Sequence, residues 1–354
     1  MDARLETNQR FLANLFRRGD FQGHAFTVSA PRTPIWEVGD YTTSPRPVKD
    51  WLPWIVEGYR RDCELSEAAE DDSVPIVGLT TGTHIYAAAL GARVHHFADS
   101  NPCALPVFAS PQDADALPEP ELAQCRPLMR ILELAELVQE ELGRDVLLGP
   151  PDLQSGFDTA CLVCDKASLF AAMLTPGEED AVHRLVGKCA RLFKAFLTEF
   201  YRRHPTASLA HCPMVWVPPD LGPWLSNDEC GAISVAAFES FCLPELIDLA
   251  QTFGGLGMHC CADAEHQFAS FRRIPDFYAF NRVAARHGYQ PILDAFGGPE
   301  GPVLVMGWAD DELIRVLAAN APPGTRLVFN RCFDVADEAR AWVERMRRYY
   351  PRCV

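Results

Sequence analysis

Short runs rich in branched, aromatic and leucine residues alternate along this chain with longer stretches whose apolar residues recur at helical spacing. The short runs predict strands over 24–29, 74–79, 145–149, 209–217, 256–259, 276–280, 302–306 and 326–330. Most of them run into Gly, Pro, Asp, Asn or Cys, as a strand opening into a loop does. Between them, leucines at helical spacing ending on Gly143 predict a helix over 128–143. Val182, Leu185, Val186, Leu192, Phe196 and Phe200 form one apolar stripe of a helix over 178–203. Shorter helices are predicted over 244–253 and 312–319, and a last one over 337–349 closes the chain.

A β, α order repeated about eight times implies a parallel sheet, and eight such units over roughly 250 residues or more fit a closed (β/α)8 barrel, an α/β fold. A doubly wound open sheet is the alternative. It lacks support because no strand leads into a G-x-G-x-x-G or P-loop pattern. The surplus length falls between the first three strands and reads as helices and loops over the barrel mouth. Residues 1–70 are expected to form an N-terminal extension packing on the barrel, with Trp51, Trp54 and Tyr59 as an apolar cluster on a helix. Residues 71–354 are expected to be the barrel itself, as one structural domain.

Composition narrows the partners. With 48% hydrophobic and 23% charged residues in 354, the chain has the balance of an ordinary folded protein. No stretch approaches the ~18 apolar residues of a membrane span. The N-terminus has no apolar signal core, so a cytoplasmic location is expected. The net charge of −16 would repel phosphate backbones and anionic lipid, which argues against nucleic-acid and membrane partners. Thirteen cysteines without a secretion signal read as free thiols, most of them packing residues.

In a barrel, chemistry collects at the C-terminal ends of the strands. Those ends carry Asp152 after Gly149-Pro150-Pro151, Asp220 after Pro218-Pro219, His259-Cys260-Cys261, Asn281, Trp308-Ala309-Asp310-Asp311 and Asn330-Arg331-Cys332. His259 and Cys261 point to one side if the strand continues that far, and Cys332 faces them from the eighth strand. An imidazole and two thiolates suit Zn²⁺ and leave a position for water or substrate. On spacing alone, a core histidine beside ordinary cysteines reads equally well. Asp152 and Asp220 are the candidate catalytic carboxylates, although aspartate is also the default helix cap in such loops. Asp310 or Asp311 is expected to cap the helix over 312–319. The Cys161-Leu162-Val163-Cys164 pair reads as part of a packed helix, Cys260 as packing, and His84 as a cap or core residue.

The segment FESFCLPELIDLAQTFGGLGMHCCADAEHQF, 238–268, resembles the uroporphyrinogen decarboxylase superfamily, in which a P-x-L helix leads into a strand ending H-x-C-G. Leu148-Gly149-Pro150-Pro151-Asp152-Leu153 resembles its G-P-F-T-L segment, and the likeness in order and spacing runs from about Val74 to the C-terminus. The decarboxylase branch of that family holds tetrapyrrole carboxylates with an arginine-rich segment. Here APRTPIWEVGDY, 30–41, has only Arg32. The family tyrosine aligns with Phe157, its F-S-D-I aspartate is missing, and its terminal N-L-G-H-G histidine is lacking at 330–334.

The methyltransferase branch, which includes the methylcobamide:coenzyme M enzymes, uses H-x-C and a distant cysteine as zinc ligands. The resemblance therefore implies His259, Cys261 and Cys332 as ligands, with Ala262 departing from the usual glycine. It implies transfer of a methyl group, from a corrinoid on a separate protein or another donor, to a zinc-activated small-molecule thiol. A uroporphyrinogen decarboxylase, or a non-catalytic corrinoid- or tetrapyrrole-binding barrel, is the alternative implication.

Overall fold

A computed structural model describes residues 3–283 and 286–352. Its centre is a six-stranded parallel sheet in the order β1-β8-β7-β6-β5-β4. The strands are β1 (Ala25–Ser29), β4 (Trp224–Ser226), β5 (Leu256–Cys260), β6 (Phe277–Arg282), β7 (Val303–Gly307) and β8 (Leu327–Cys332). β2 (Arg93–His95) and β3 (Cys103–Leu105) form a separate antiparallel pair that the sequence pattern did not predict. Among the described residues, no helix is long and apolar enough to cross a membrane.

The sheet has a different core on each face because its side chains alternate with a period of two. Leu304, Leu327 and Phe329 pack under the helices. Val303, Val305 and Val328 face the other way and pack with Phe11, Leu12, Leu15 and Phe16 of the helix Ala3–Phe16. Tyr278 meets Phe16 edge-on, with ring centroids 6.2 Å apart. The helices Arg126–Leu142, Glu179–Arg203, Leu243–Phe253, Asp311–Asn320 and Ala336–Tyr349 fall within a residue or two of their predicted bounds.

Three predicted strands are not regular strands. The runs 74–79, 145–149 and 209–217 make only single parallel bridges, Val77 with Leu148 and Ala210 with Trp224. Around these bridges, Val77 N donates to Leu147 O at 2.8 Å and Gly149 N to Val77 O at 2.8 Å. Ser208 N donates to Leu148 O and Trp224 N to Leu209 O, both at 2.8 Å. Prolines explain the interruption. Pro75, Pro150, Pro151 and Pro213 lie in or directly after these runs and supply no N–H to a ladder. The short strand the pattern missed, β4, begins just after Pro223.

The outer edge of β1 is finished by side chains. Phe26 N donates to Asp72 Oδ2 at 2.8 Å, Val28 N to Asp71 Oδ2 at 2.6 Å, and Ala30 N to Asp62 Oδ1 at 2.9 Å. Carboxylates thus take the place of strand carbonyls along an edge that would otherwise present unpaired N–H groups. On its other side β1 pairs with β8 from Ala25–Val328 to Ser29–Cys332. The first 70 residues therefore contribute a strand to the sheet, and the helix Leu52–Ala69 within them packs on both β1 and Ala336–Tyr349.

Candidate active site

The register of the parallel sheet sets the central contact. Ser226, His259 and Asn281 are partners across β4, β5 and β6. Gly257 permits this packing, since a Cβ there would lie 2.9 Å from the Trp224 side chain. His259 is 2% exposed, and its Nδ1 lies 2.6 Å from Asn281 Oδ1. Asn281 Nδ2 is committed to Val305 O at 2.6 Å, so its oxygen faces the ring. Nδ1 must then carry the proton, leaving the Nε2 lone pair free. Nε2 points at Cys261 Sγ, 2.9 Å away.

Asp228, on the turn after β4, completes the group. Its Oδ1 accepts from Cys261 N at 2.5 Å. Ligand atoms of Asp228, His259 and Cys261 all lie within 4.8 Å of one another. Asp228 is itself anchored from behind, with its N–H donating to Asp158 Oδ2 at 2.7 Å. Burial raises the Asp228 carboxyl, while the Cys261 N–H opposes the shift. Burial pushes the Cys261 thiol up to about 12, and the Asp228 and Asp152 carboxylates add to the effect. A protonated Cys261 therefore donates to His259 Nε2.

Beside this group opens a cavity of 490 Å³ on the C-terminal side of the strands. Its wall includes Asp152, His211, Cys212, Met214, Trp308 and Cys332. His211 joins the cavity to the histidine–cysteine group, with its ring 6.1 Å from that of His259 and edge-on to it. His211 Nε2 is 3.6 Å from Asp152 Oδ1, and Gln154 Nε2 donates to the same carboxylate oxygen. Burial lowers His211, with Asp152 pulling the other way. Trp308 is 63% exposed and has φ of 63°, a left-handed backbone that costs a bulky residue about 1–3 kcal/mol.

The structure brings His259 and Cys261 together and does not bring Cys332 into their group. Cys332 ends β8, four places along the strand order from β4 and three from β5, with Ser29 of β1 as its register partner. It lines the cavity instead. Asp152 also lines the cavity, whereas Asp220 does not reach it. Asp220 precedes β4, at the opposite end of the sheet, where its exposed carboxylate pairs with Arg17 at 2.6 Å. The sequence order misled here because the strand expected to end before Asp220 is a bridge at Ala210, and its C-terminal continuation is His211.

Two site residues escaped sequence reasoning, Asp228 and His211. The signal for Asp228 was the unrecognised short strand Trp224–Ser226, whose end it follows. His211 was hidden inside a run predicted to be all strand. The remaining expectations fall out as structural roles. Asp310 caps its helix, accepting from Leu313 N at 2.8 Å. Cys161 and Cys164 are buried at the helix Gly156–Val163 and its end. His84 is fully buried, 3.0 Å from Asp40 Oδ2.

No protein-family model matches the chain, and no curated protein matches it. Among solved structures, a methyltransferase from Methanosarcina mazei matches with a TM-score of 0.67 at 13% identity, covering 97% of this chain and 98% of that one. A homocysteine methyltransferase from Escherichia coli, in metallated form, matches at 13% identity over 68% of this chain and 96% of that one, with a TM-score of only 0.25. The chain is thus a mixed α/β protein sharing the fold of the Methanosarcina mazei methyltransferase along nearly its whole length.

Proposed function

We propose that this chain is a zinc-dependent methyltransferase with a closed (β/α)8 barrel of the uroporphyrinogen decarboxylase superfamily, passing a methyl group to a small thiol. The carrying observation is the oriented pair His259–Cys261. A histidine whose Nδ1–H is held by a strand-borne amide, and whose Nε2 faces a cysteine sulfur, has the arrangement of a metal ligand with its supporting partner. The single bridges at Val77–Leu148 and Ala210–Trp224 support the barrel reading, because they continue the parallel pairing between β1 and β4. The fold shared with a methyltransferase supports the same reading.

The donors fit zinc. Imidazole nitrogen, cysteine sulfur and carboxylate oxygen are its ordinary ligands, and here they converge on one place. Holding a thiolate beside a carboxylate is costly without a cation, and Cys261 and Asp228 are both raised, Cys261 in part by Asp228 itself. His259, Cys261 and Asp228 would hold the ion, with Cys332 as the further candidate from the cavity wall. Bound there, zinc would keep a coordinated substrate thiol in its thiolate form at neutral pH.

The chain's own residues supply the rest. Asn281 fixes the His259 tautomer, and Asp158 fixes the loop that carries Asp228. The His211–Asp152 pair lines the adjoining cavity and would accept the substrate thiol's proton as the thiol binds, before its sulfur takes the methyl group. A corrinoid carried by a separate protein is the proposed methyl donor.

The decarboxylase alternative requires several cations for the acetates and propionates of its substrate. Arg32, the one arginine or lysine lining the cavity among the described residues, is already paired with Asp62.

Zinc analysis of the purified protein tests the proposal. The wild type should bind one zinc per chain, and Cys261→Ser should lose it. Absence of stoichiometric zinc from the wild type overturns the proposal. The same assay on Asp228→Asn and Cys332→Ser identifies the remaining ligands. Loss of the methylcobalamin absorbance on adding small thiols would then report turnover.

A further inference from the structure

We infer that the cavity receives a small substrate with an apolar body and an organic ammonium group, and rejects those ending in carboxylate or sulfonate. The inference rests on the proposed function only in taking this cavity as the substrate site.

Pro31, Pro75, Pro150, Pro151, Met214 and Val215 make most of the wall apolar. Two indoles stand among them, Trp216 and the outward-facing Trp308. The charged side chains of the wall are Arg32, Asp62 and Asp152. Arg32 and Asp62 form an ion pair and cancel. Among the described residues no lysine or arginine pairs with Asp152, whose carboxylate meets Gln154 and His211. The lining therefore carries one net negative charge from these groups.

An anionic substrate would enter against that field with no guanidinium fork to receive it. An organic cation would meet the reverse: a carboxylate partner and two indole side chains, the residue types that recognise alkylated ammonium groups. The backbone of Trp308 supports the assignment. A largely exposed indole on a left-handed residue gains little from burial, so its placement at the cavity is better explained by contact with a ligand. The volume of 490 Å³ suits a small molecule of this kind.

The test separates charge from shape. Purified full-length protein is titrated with choline, with 3,3-dimethylbutan-1-ol as its neutral isostere, and with 3-hydroxypropanesulfonate, following tryptophan fluorescence. Choline should bind at least tenfold more tightly than the neutral isostere, and the sulfonate should show no saturable binding. Asp152→Asn should remove the preference for choline over the isostere. Trp308→Ala, checked for an unchanged circular dichroism spectrum, should weaken choline several-fold. Equal binding of choline and the isostere, or saturable binding of the sulfonate, overturns the inference. Choline binding by a chain that holds no zinc would sustain this inference and sink the methyltransferase reading. Zinc binding without choline binding would do the opposite.

Discussion

His259 on β5 and Asn281 on β6 are register partners, and their side chains meet at 2.6 Å. Because Asn281 Nδ2 is held by Val305 O, the amide presents only its oxygen, and the imidazole has one tautomer available. The relationship makes Asn281 a positioning residue for the proposed ligand. Removing such a partner typically lowers metal affinity about 10–100-fold. Asn281→Ala should show that loss in a competition titration against a chromophoric chelator. Asn281→Asp, which keeps an acceptor oxygen, should retain most of the affinity. A merely structural asparagine would lower thermal stability in both variants without separating their zinc affinities.

Glu245 gives a pH dependence independent of the cavity. It lies on the helix Leu243–Phe253, and its carboxylate accepts from Gly156 N and Phe157 N, both at 2.9 Å, at the start of the helix Gly156–Val163. Burial pushes it up to about 8, opposed by those two N–H donors. The folded chain then holds a proton that the unfolded chain has released, from the ordinary value of 4.5 up to about 8. Its contribution to stability must fall as pH rises through that window and level off above it. Urea unfolding at pH 5.5 and 7.5 should show the wild type losing stability relative to Glu245→Gln by about 1 kcal/mol or more per pH unit. A difference that stays constant between the two pH values would contradict the assignment.

Asp72 binds the edge of the sheet to the end of the chain. It accepts from Phe26 N and pairs with Arg347 at 2.7 Å and with Arg352. Asp72→Ala leaves a buried strand N–H unsatisfied and should cost about 1–3 kcal/mol. The two arginines are about a third exposed, so water offsets much of their loss. Chemical denaturation should show a lower midpoint, whereas Arg347→Ala alone should change it less.

Trp308 should show a trade between stability and binding. Replacing it with glycine relieves a left-handed backbone at the expense of little buried surface. Trp308→Gly is expected to stay within about 1 kcal/mol of the wild type in stability while binding ammonium probes more weakly. A large fall in melting temperature would show that the indole serves packing instead.

The sequence made the strongly periodic elements legible. Valines and leucines alternating in β7 and β8, and the stripes of the long helices, encode burial directly, so those elements lie close to their predicted bounds. The pairing of His259 with Cys261 was equally legible, because two residues apart at a strand end is a local relationship. The proline-bearing runs were not, since a run of β-forming residues predicts a strand whether or not its N–H groups find partners.

By itself, then, the sequence determined the α/β alternation, the strongly periodic helices such as Arg126–Leu142 and Glu179–Arg203, and the local H-x-C pair. Only the tertiary structure decided that Asn281 orients the histidine, that Asp228 and His211 stand beside it, and that Cys332 lies on the cavity wall apart from it. It also placed Asp220 at the far end of the sheet with Arg17. The reason is physical. Side-chain periodicity is written along the chain, but register and strand order are set by which hydrogen bonds and cores close between distant segments, and those determine which polar atoms meet.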